Sequence, residues 1–197
     1  MTQTPQKDRG IAKLDLAKYG LSHLAEKAMH TLPDYEIEKL VRAFASENIA
    51  PVIYGPAYTP GNVQRLLSLS YCRSCGKCCL PNPIDPDHPG VMVYEEDLRR
   101  IAKNSRYSYK YLKKKAPITN DPNLPKRRYL PLPCMFYQKR ECKIYEIRPH
   151  ICTTYPVADV PERVGISINV RCDYGIDIFK AVLEHMRKGT VHQLLEE

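Results

Sequence analysis

The 197-residue sequence has no tryptophan and only three phenylalanines, against 17 prolines. A chain with so few large rings and so many prolines favours short elements joined by irregular loops. No stretch approaches the run of about 18 apolar residues that a transmembrane helix needs. The first residues also lack the apolar segment of a secretory signal. We therefore expect a cytoplasmic protein that does not enter a membrane.

The sequence also lacks the short motifs of several enzyme classes. It contains no G-x-G-x-x-G, no P-loop and no G-x-S-x-G segment, so nucleotide-dependent or hydrolytic catalysis has no motif behind it. The C-x3-C-x2-C spacing of radical S-adenosylmethionine enzymes is absent as well. These absences leave open whether the protein is an enzyme.

Cysteine is missing from both ends of the chain, namely the first 71 residues and the last 25. All eight cysteines fall in the block between them, and four stand within eight residues. They are Cys72, Cys75, Cys78, Cys79, Cys134, Cys142, Cys152 and Cys172. An even number would allow disulfides, but a reducing cytoplasm disfavours them. The clustering therefore predicts metal or iron–sulfur ligation.

The first cysteine block has the spacing of a metal-binding turn. Cys72, Cys75 and Cys78 match the first three positions of the bacterial ferredoxin run C-x2-C-x2-C-x3-C-P, and Gly76 allows a tight turn between them. The fourth ferredoxin position is Asn82, and the additional thiol is Cys79. Because adjacent side chains generally diverge, we expect Cys78 and Cys79 to serve different centres. Eight thiolates would suffice for two four-ligand sites.

An all-sulfur donor set favours Zn²⁺ or an iron–sulfur cluster over Mg²⁺ or Ca²⁺. Structural zinc sites usually combine two C-x2-4-C knuckles, and only the first block here has that spacing. The later cysteines are scattered single ligands, which favours a polynuclear cluster. We therefore expect an iron–sulfur cluster, most simply [4Fe–4S] and with room for two centres, and zinc is the alternative.

Apolar spacing and Gly/Pro punctuation predict an α+β fold, rich in helix, with a few short strands and long Pro-rich loops around a cysteine-ligated metal centre. The predicted helices are 11–28, 31–48, 63–69, 95–104 and 173–188, and the predicted strands are 91–93, pieces of 128–145, and 164–170. In the second helix, Thr31 is the expected cap. The predicted domains are a helical extension (1–70), a cysteine-cluster metal-binding domain (71–175) and a C-terminal helix packed on that domain (176–197).

The segment Arg99–Lys115 holds eight basic residues and, after Asp97, no acid. These eight charges equal the net charge of +8 for the whole chain. Tyr107, Tyr109 and Tyr111 alternate with them. Such a segment could attract an acidic protein partner or track a nucleic-acid backbone, or be a solvated helical face. No nucleic-acid-binding motif is present, so a protein partner is the favoured expectation.

Three segments together carry a family resemblance: Cys72-x2-Cys75-x2-Cys78-Cys79, then Pro133-Cys134-Met135-Phe136-Tyr137, then the run from Cys142 through Arg148-Pro149-His150 to Cys152. They resemble the CxxCxxCC cysteine-cluster family, whose YkgJ-like members are described as zinc- or iron-chelating or iron–sulfur proteins. Flagellin lysine N-methylases look similar over the same block, about residues 70–175. The resemblance implies that all eight cysteines are ligands. Members often carry Arg after the position of Cys152, where this chain has Thr153.

These patterns lead to three functional hypotheses. The first is an iron–sulfur protein in electron transfer or redox support of a partner enzyme, with Arg148 near the cluster to tune its potential. The second is a zinc-stabilised module that binds an acidic partner or nucleic acid. The third, from the resemblance alone, is a protein-modifying enzyme related to the lysine N-methylases.

Overall fold

The computed structural model describes residues 14–83, 88–120, 126–160 and 164–195. The helices are α1 (Asp34–Ser46), α2 (Pro60–Ser68), α3 (Glu95–Lys103), α4 (Tyr109–Lys115), α5 (His150–Thr154), α6 (Asp173–Arg187) and α7 (Val191–Leu194). The strands are β1 (Val52–Tyr54), β2 (Val91–Val93), β3 (Arg128–Leu130), β4 (Tyr137–Gln138), β5 (Glu141–Cys142), β6 (Val157–Asp159) and β7 (Gly165–Ile168). The part of the chain described here has no helix that combines the length and apolarity needed to cross a membrane.

The chain divides into two compact units. Unit 1 is built from both ends of the chain, residues 1–73 and 156–197, and unit 2 is the continuous segment 74–155. The domain limits predicted from the sequence stay predictions, because a division by contacts does not test which segments fold independently.

Unit 1 contains a three-stranded antiparallel sheet in the order β1-β7-β6. In the register of the central pair, Ile53 lies opposite Ile166. Helices α1, α2 and α6 contribute their apolar faces to the same core, in which Phe44, Leu66 and Ile178 are fully buried. The i, i+3, i+4, i+7 pattern of α1 is confirmed, since all four of its apolar positions are buried.

The predicted helix over 11–28 is wrong within the residues that the structure describes. Its place is taken by short 3₁₀ turns, and Gly20 between the first two adopts a left-handed φ of 66° that ends the turn. Thr31 is not the cap of α1. Its hydroxyl donates to the carbonyl of Ala28, and α1 begins after Pro33.

Unit 2 consists of short elements around a smaller core. The antiparallel pair β2–β3 places Val93 and Leu130 in this core. Helices α3 and α4 contribute fully buried residues, Leu98, Ile101 and Leu112. The two-stranded hairpin β4–β5 pairs Tyr137 with Cys142. Cys134 and Cys142 both pack against this core, so the second half of the cysteine pattern rests on a hydrophobic support.

The β4–β5 hairpin turns through Lys139 and Arg140, whose φ angles are 51° and 62°. Two-residue hairpin turns with positive φ at both central positions favour Asn-Gly, because a Cβ is strained there. This chain places two long basic side chains at the tip instead, and both are exposed.

The mixture of helices with small antiparallel sheets confirms the α+β class. Four predicted elements are confirmed within one or two residues: the strand 91–93, the helix 95–104, the turn between Gln138 and Glu141, and the helix 173–188. Strands β1 and β6 and helix α7 were not predicted, because each has at most four residues and so shows no periodicity. Part of the irregular loop predicted after Cys79 lies outside the described residues.

Candidate metal centre

The turn that carries Cys78 and Cys79 is held against the segment that carries Cys134. The N–H of Cys79 donates to the carbonyl of Gly76 at 2.8 Å, which closes the turn. The N–H of Cys134 donates to the carbonyl of Cys79 at 2.7 Å. Gly76 has a φ of 75°, and a Cβ there would overlap Cζ and Oη of Tyr137. Glycine is therefore required at this position by both the backbone and the packed ring.

The hairpin brings Cys142 to the same region. The N–H of Tyr137 donates to the carbonyl of Cys134 at 2.9 Å, so β4 starts directly from the Cys134 turn. Cys142 lies opposite Tyr137 across the hairpin. A further bond, from the N–H of Lys143 to the carbonyl of Phe136 at 2.9 Å, fixes the register. The seven residues between Cys134 and Cys142 therefore form a loop that returns to its starting point.

Cys152 is positioned by the short helix α5, which begins after Pro149. The expected helical turn is confirmed, with Pro149 as its cap rather than its first residue. Its start is anchored by Asp97, which is 2 % exposed and accepts from the N–H of His150 at 3.0 Å. The other carboxylate oxygen of Asp97 accepts from the N–H of Tyr94 at 3.0 Å. One buried carboxylate thus fixes the beginnings of both α3 and α5.

Five thiols of unit 2 interact electrostatically, and we call them the thiol cluster: Cys78, Cys79, Cys134, Cys142 and Cys152. The Sγ atoms of Cys78 and Cys79 are 3.8 Å apart. Our expectation that these adjacent side chains diverge is therefore wrong. Two sulfurs on one tetrahedral zinc, with Zn–S bonds of about 2.3 Å, are separated by about 3.8 Å. The pair could thus bind a single ion.

The thiols of the cluster differ in pKa: some have lowered values and ionise easily, and others have raised values and stay protonated. The pKa of Cys134 is lowered to about 7, chiefly because the Cys79 thiol donates a hydrogen bond to it. The same bond raises the pKa of Cys79. The pKa of Cys78 is lowered, first by its hydrogen bond with Cys79. Burial raises the pKa of Cys142 and raises that of Cys152 to about 12.

The donor set of the cluster fits a soft metal. Every donor is sulfur, the ligand type that selects zinc and iron–sulfur centres. Within the described ranges, no three His, Cys, Asp or Glu side chains are already arranged as ligands of one ion. Side chains of the thiol cluster would therefore have to move for three of them to ligate one ion.

Arg148 contributes a positive charge next to the thiol cluster. Its Nε donates to the carbonyl of Cys152 at 3.2 Å and its Nη1 to the carbonyl of Tyr145 at 3.0 Å. The guanidinium carbon lies 3.7 Å from the ring centroid of Tyr145, a distance typical of a cation–π stack. Its positive charge lowers the pKa of Cys78 and Cys142 and opposes the effect of burial on Cys152. It acts through its field, because these two donors bind carbonyl oxygens and not sulfur.

Metal affinity should fall steeply on acidification. Ligation removes the proton of each protonated thiol. Near pH 7 three thiols of the cluster carry theirs because their pKa values are raised, Cys142 and Cys152 by burial and Cys79 chiefly by its hydrogen bond to Cys134. If all three bind the metal, three released protons make the affinity fall about a thousandfold per pH unit. Below the Cys134 pKa of about 7, a fourth proton steepens the fall. Zn²⁺ competition titrations against a chromophoric chelator, at several pH values, measure the slope; less than one decade per pH unit would contradict this account.

Replacing Arg148 by glutamine should weaken metal binding by about 10- to 100-fold, the cost typical of losing a group just outside the ligands. The loss of positive charge should also move the pH dependence of binding to higher pH, because the thiols become harder to ionise. Arg148→Lys keeps the charge and should restore most of the pH profile. Arg42→Gln, which alters an exposed arginine paired with Glu38 in unit 1, is the control. An unchanged profile in Arg148→Gln would exclude a role for this charge.

The remaining three predicted ligands lie outside the thiol cluster as described. Cys72 belongs to unit 1 and is exposed. Cys172 also belongs to unit 1, is 4 % exposed, and caps α6 by accepting from the N–H of Gly175 at 3.4 Å. Cys75 lies in unit 2 and is half-buried, and the described contacts do not connect its thiol with the cluster. Their role as ligands stays a prediction.

Three residues that shape the site were not identified from the sequence. Asp97 reads as one of three acids at a helix start, and its bond to His150 spans 53 residues. Tyr137 and Tyr145 stand in ordinary strand and turn sequences. No neighbouring residue in the sequence indicates that Tyr137 covers Gly76 or that Tyr145 stacks on Arg148. The steric requirement at Gly76 was the only available signal, since a glycine inside a cysteine turn indicates close approach.

Of the comparisons with known proteins, the one with family models gives a match. A family model named CxxCxxCC, described as "Putative zinc- or iron-chelating domain", matches residues 71–173. No curated protein and no solved structure matches the chain. The matched segment spans all eight cysteines and more than half of the sequence. The chain therefore belongs to the CxxCxxCC family of zinc- or iron-chelating domains.

Proposed function

We propose that unit 2 holds an iron–sulfur cluster on its thiol cluster and that the protein serves electron transfer or redox support of a partner enzyme. The observation that carries the proposal is the gathering of five thiols from four separate places in the chain, namely the 78–79 turn, Cys134, β5 and α5. Cysteines kept only as small apolar residues would not interact with one another in this way.

Scattered single ligands support iron–sulfur ligation, because each iron of a polynuclear cluster takes its own thiolate. Burial supports it too, since Cys152 and Cys142 lie where desolvation raises their pKa. Low solvent exposure and a fixed positive charge such as Arg148 are two means by which proteins set a cluster's potential. When bound, the cluster would supply one-electron transfer. The cytoplasm is the proposed location, because ligation needs thiols that stay reduced.

Zinc is the second candidate, and one observation favours it. The 3.8 Å separation of the Cys78 and Cys79 sulfurs matches the edge of a zinc tetrahedron, about 3.8 Å. In that case the centre would be structural, and the protein would act through its surface.

Anaerobic purification followed by iron, zinc and acid-labile sulfide analysis separates the two candidates. The proposal expects brown protein with stoichiometric iron and sulfide, whose broad visible absorbance is bleached by dithionite. Colourless protein with stoichiometric zinc and no sulfide would establish the second candidate. Protein that contains neither metal after anaerobic reconstitution would overturn both.

A further inference from the structure

Helices α3 and α4 and the turn between them expose a group of basic side chains, which we call the basic face. It consists of Arg99, Lys103, Arg106, Lys110, Lys114 and Lys115, all exposed. The two helices are held side by side by buried Leu98, Ile101 and Leu112. Tyr109 joins them at the surface, because Arg99 lies over its ring at 5.7 Å and its hydroxyl donates to Glu95.

The basic face is not neutralised within the part of the chain that the structure describes. Glu95 is engaged by Arg128 at 2.8 Å and lies 4.0 Å from Lys113. Asp97 is engaged by Arg100 at 2.7 Å. None of the six side chains of the basic face has a carboxylate partner among the described residues.

In unit 1, by contrast, many basic side chains are paired with carboxylates. Its ion pairs include Lys18–Glu47, Arg42–Glu38, Lys180–Glu38, Arg187–Asp34 and Lys188–Glu184. A uniformly solvated surface would mix both signs in this way. Six uncompensated cations on two neighbouring helices and the turn between them instead create a local positive field, which draws an anionic partner to that side of unit 2.

The tyrosines of the basic face argue against a nucleic acid as that partner. Single strands bind basic surfaces by stacking bases on free aromatic rings. Here Tyr107 stacks on Tyr111 at 5.7 Å and meets the edge of Phe136 at 5.5 Å. Lys115 lies over Tyr111 at 5.8 Å, and Arg99 and Lys113 lie over Tyr109. The rings are engaged by neighbours of this chain, and four of the six cations are lysines, point charges rather than the planar forks suited to phosphate.

We infer that the basic face docks an acidic segment of a protein partner, rich in Asp and Glu. The face and the thiol cluster share one core, since Phe136 contacts Tyr107 and stands two residues after Cys134. Docking there places the partner on the unit that carries the thiols. The inference does not depend on which metal the thiols bind.

The test measures binding of a fluorescein-labelled peptide of alternating glutamate and serine to the full chain by fluorescence anisotropy. The variant Arg106→Glu/Lys110→Glu reverses one charge in the turn between the helices and one in the first turn of α4. The matched control, Lys27→Glu/Lys39→Glu, reverses two exposed lysines of unit 1 and gives the same net charge. Unchanged thermal unfolding midpoints show that both variants fold.

We expect the first variant to weaken peptide binding at least about tenfold and the control less than about twofold. Raising the ionic strength from about 0.1 to about 1 M shortens the screening length from about 10 to about 3 Å and should abolish binding. Equal losses in the two variants, or no binding of the peptide by the wild-type chain, would overturn the inference. So would tighter binding of an oligothymidylate of equal charge, which would make the face a nucleic-acid interface.

Discussion

Cys134→Ser should leave the protein unable to retain its metal. Cys134 is connected with each of the other four thiols of the cluster: it receives the hydrogen bond of the Cys79 thiol, and its charge acts on Cys78, Cys142 and Cys152. Its lowered pKa, about 7, makes it the readiest thiolate near neutral pH. A serine hydroxyl is a harder donor and stays protonated. We expect the affinity to fall by more than about 100-fold, beyond the range for groups outside the ligand set.

The measurement is metal content after anaerobic purification and desalting, with the affinity taken from chelator competition. Met135→Leu is the matched control, because it changes the neighbouring half-buried side chain while preserving its volume. Full metal content in Cys134→Ser would remove Cys134 from the centre and with it the basis of the proposed function.

Gly76→Ala should both destabilise unit 2 and release the metal. An alanine at a φ of 75° is strained by about 1–2 kcal/mol. Its Cβ would also overlap the ring of Tyr137, and forcing extra volume into a packed site costs about 1–3 kcal/mol more. We expect a total loss of about 2–5 kcal/mol in the free energy of unfolding. Tyr137 would have to leave the turn that carries Cys78 and Cys79, so the metal content should fall too.

Gly20→Ala separates the two contributions. Gly20 has a nearly identical φ of 66°, but a Cβ there meets nothing within 4 Å. It should therefore lose only the strain of about 1–2 kcal/mol and keep its metal. Urea unfolding and metal analysis of both variants give the comparison. Equal losses of unfolding free energy and of metal in the two variants would show that the contact between Gly76 and Tyr137 does not stabilise the turn.

The sequence predicted the fold class and several elements, and it predicted a chelating role that the family match supports. The cysteine spacing pointed to a sulfur-ligated centre, and the helical face of α1 and the N-terminal acids of α3 located two helices. These are local signals, in which each residue's neighbours along the chain carry the information. The α+β class followed from them, and the family match supports the chelating role.

The arrangement of the cysteines could not be obtained in this way. Whether Cys78 and Cys79 diverge depends on the backbone at Gly76 and on Tyr137, which lies 61 residues away. The position of Cys152 depends on Asp97, buried in another helix. Side-chain contacts between distant segments produce no periodic pattern in the sequence. The spacing of the cysteines therefore could not distinguish among them, and all eight were predicted to be ligands.

The division of the chain also has a consequence for how the protein is made. The central strand of the unit 1 sheet, β7, is encoded about a hundred residues after β1, with which it pairs. The segment 74–155 is continuous and leaves the ribosome before β7 does. During synthesis the segment that carries the thiol cluster can therefore collapse before the central strand of the unit 1 sheet has been made.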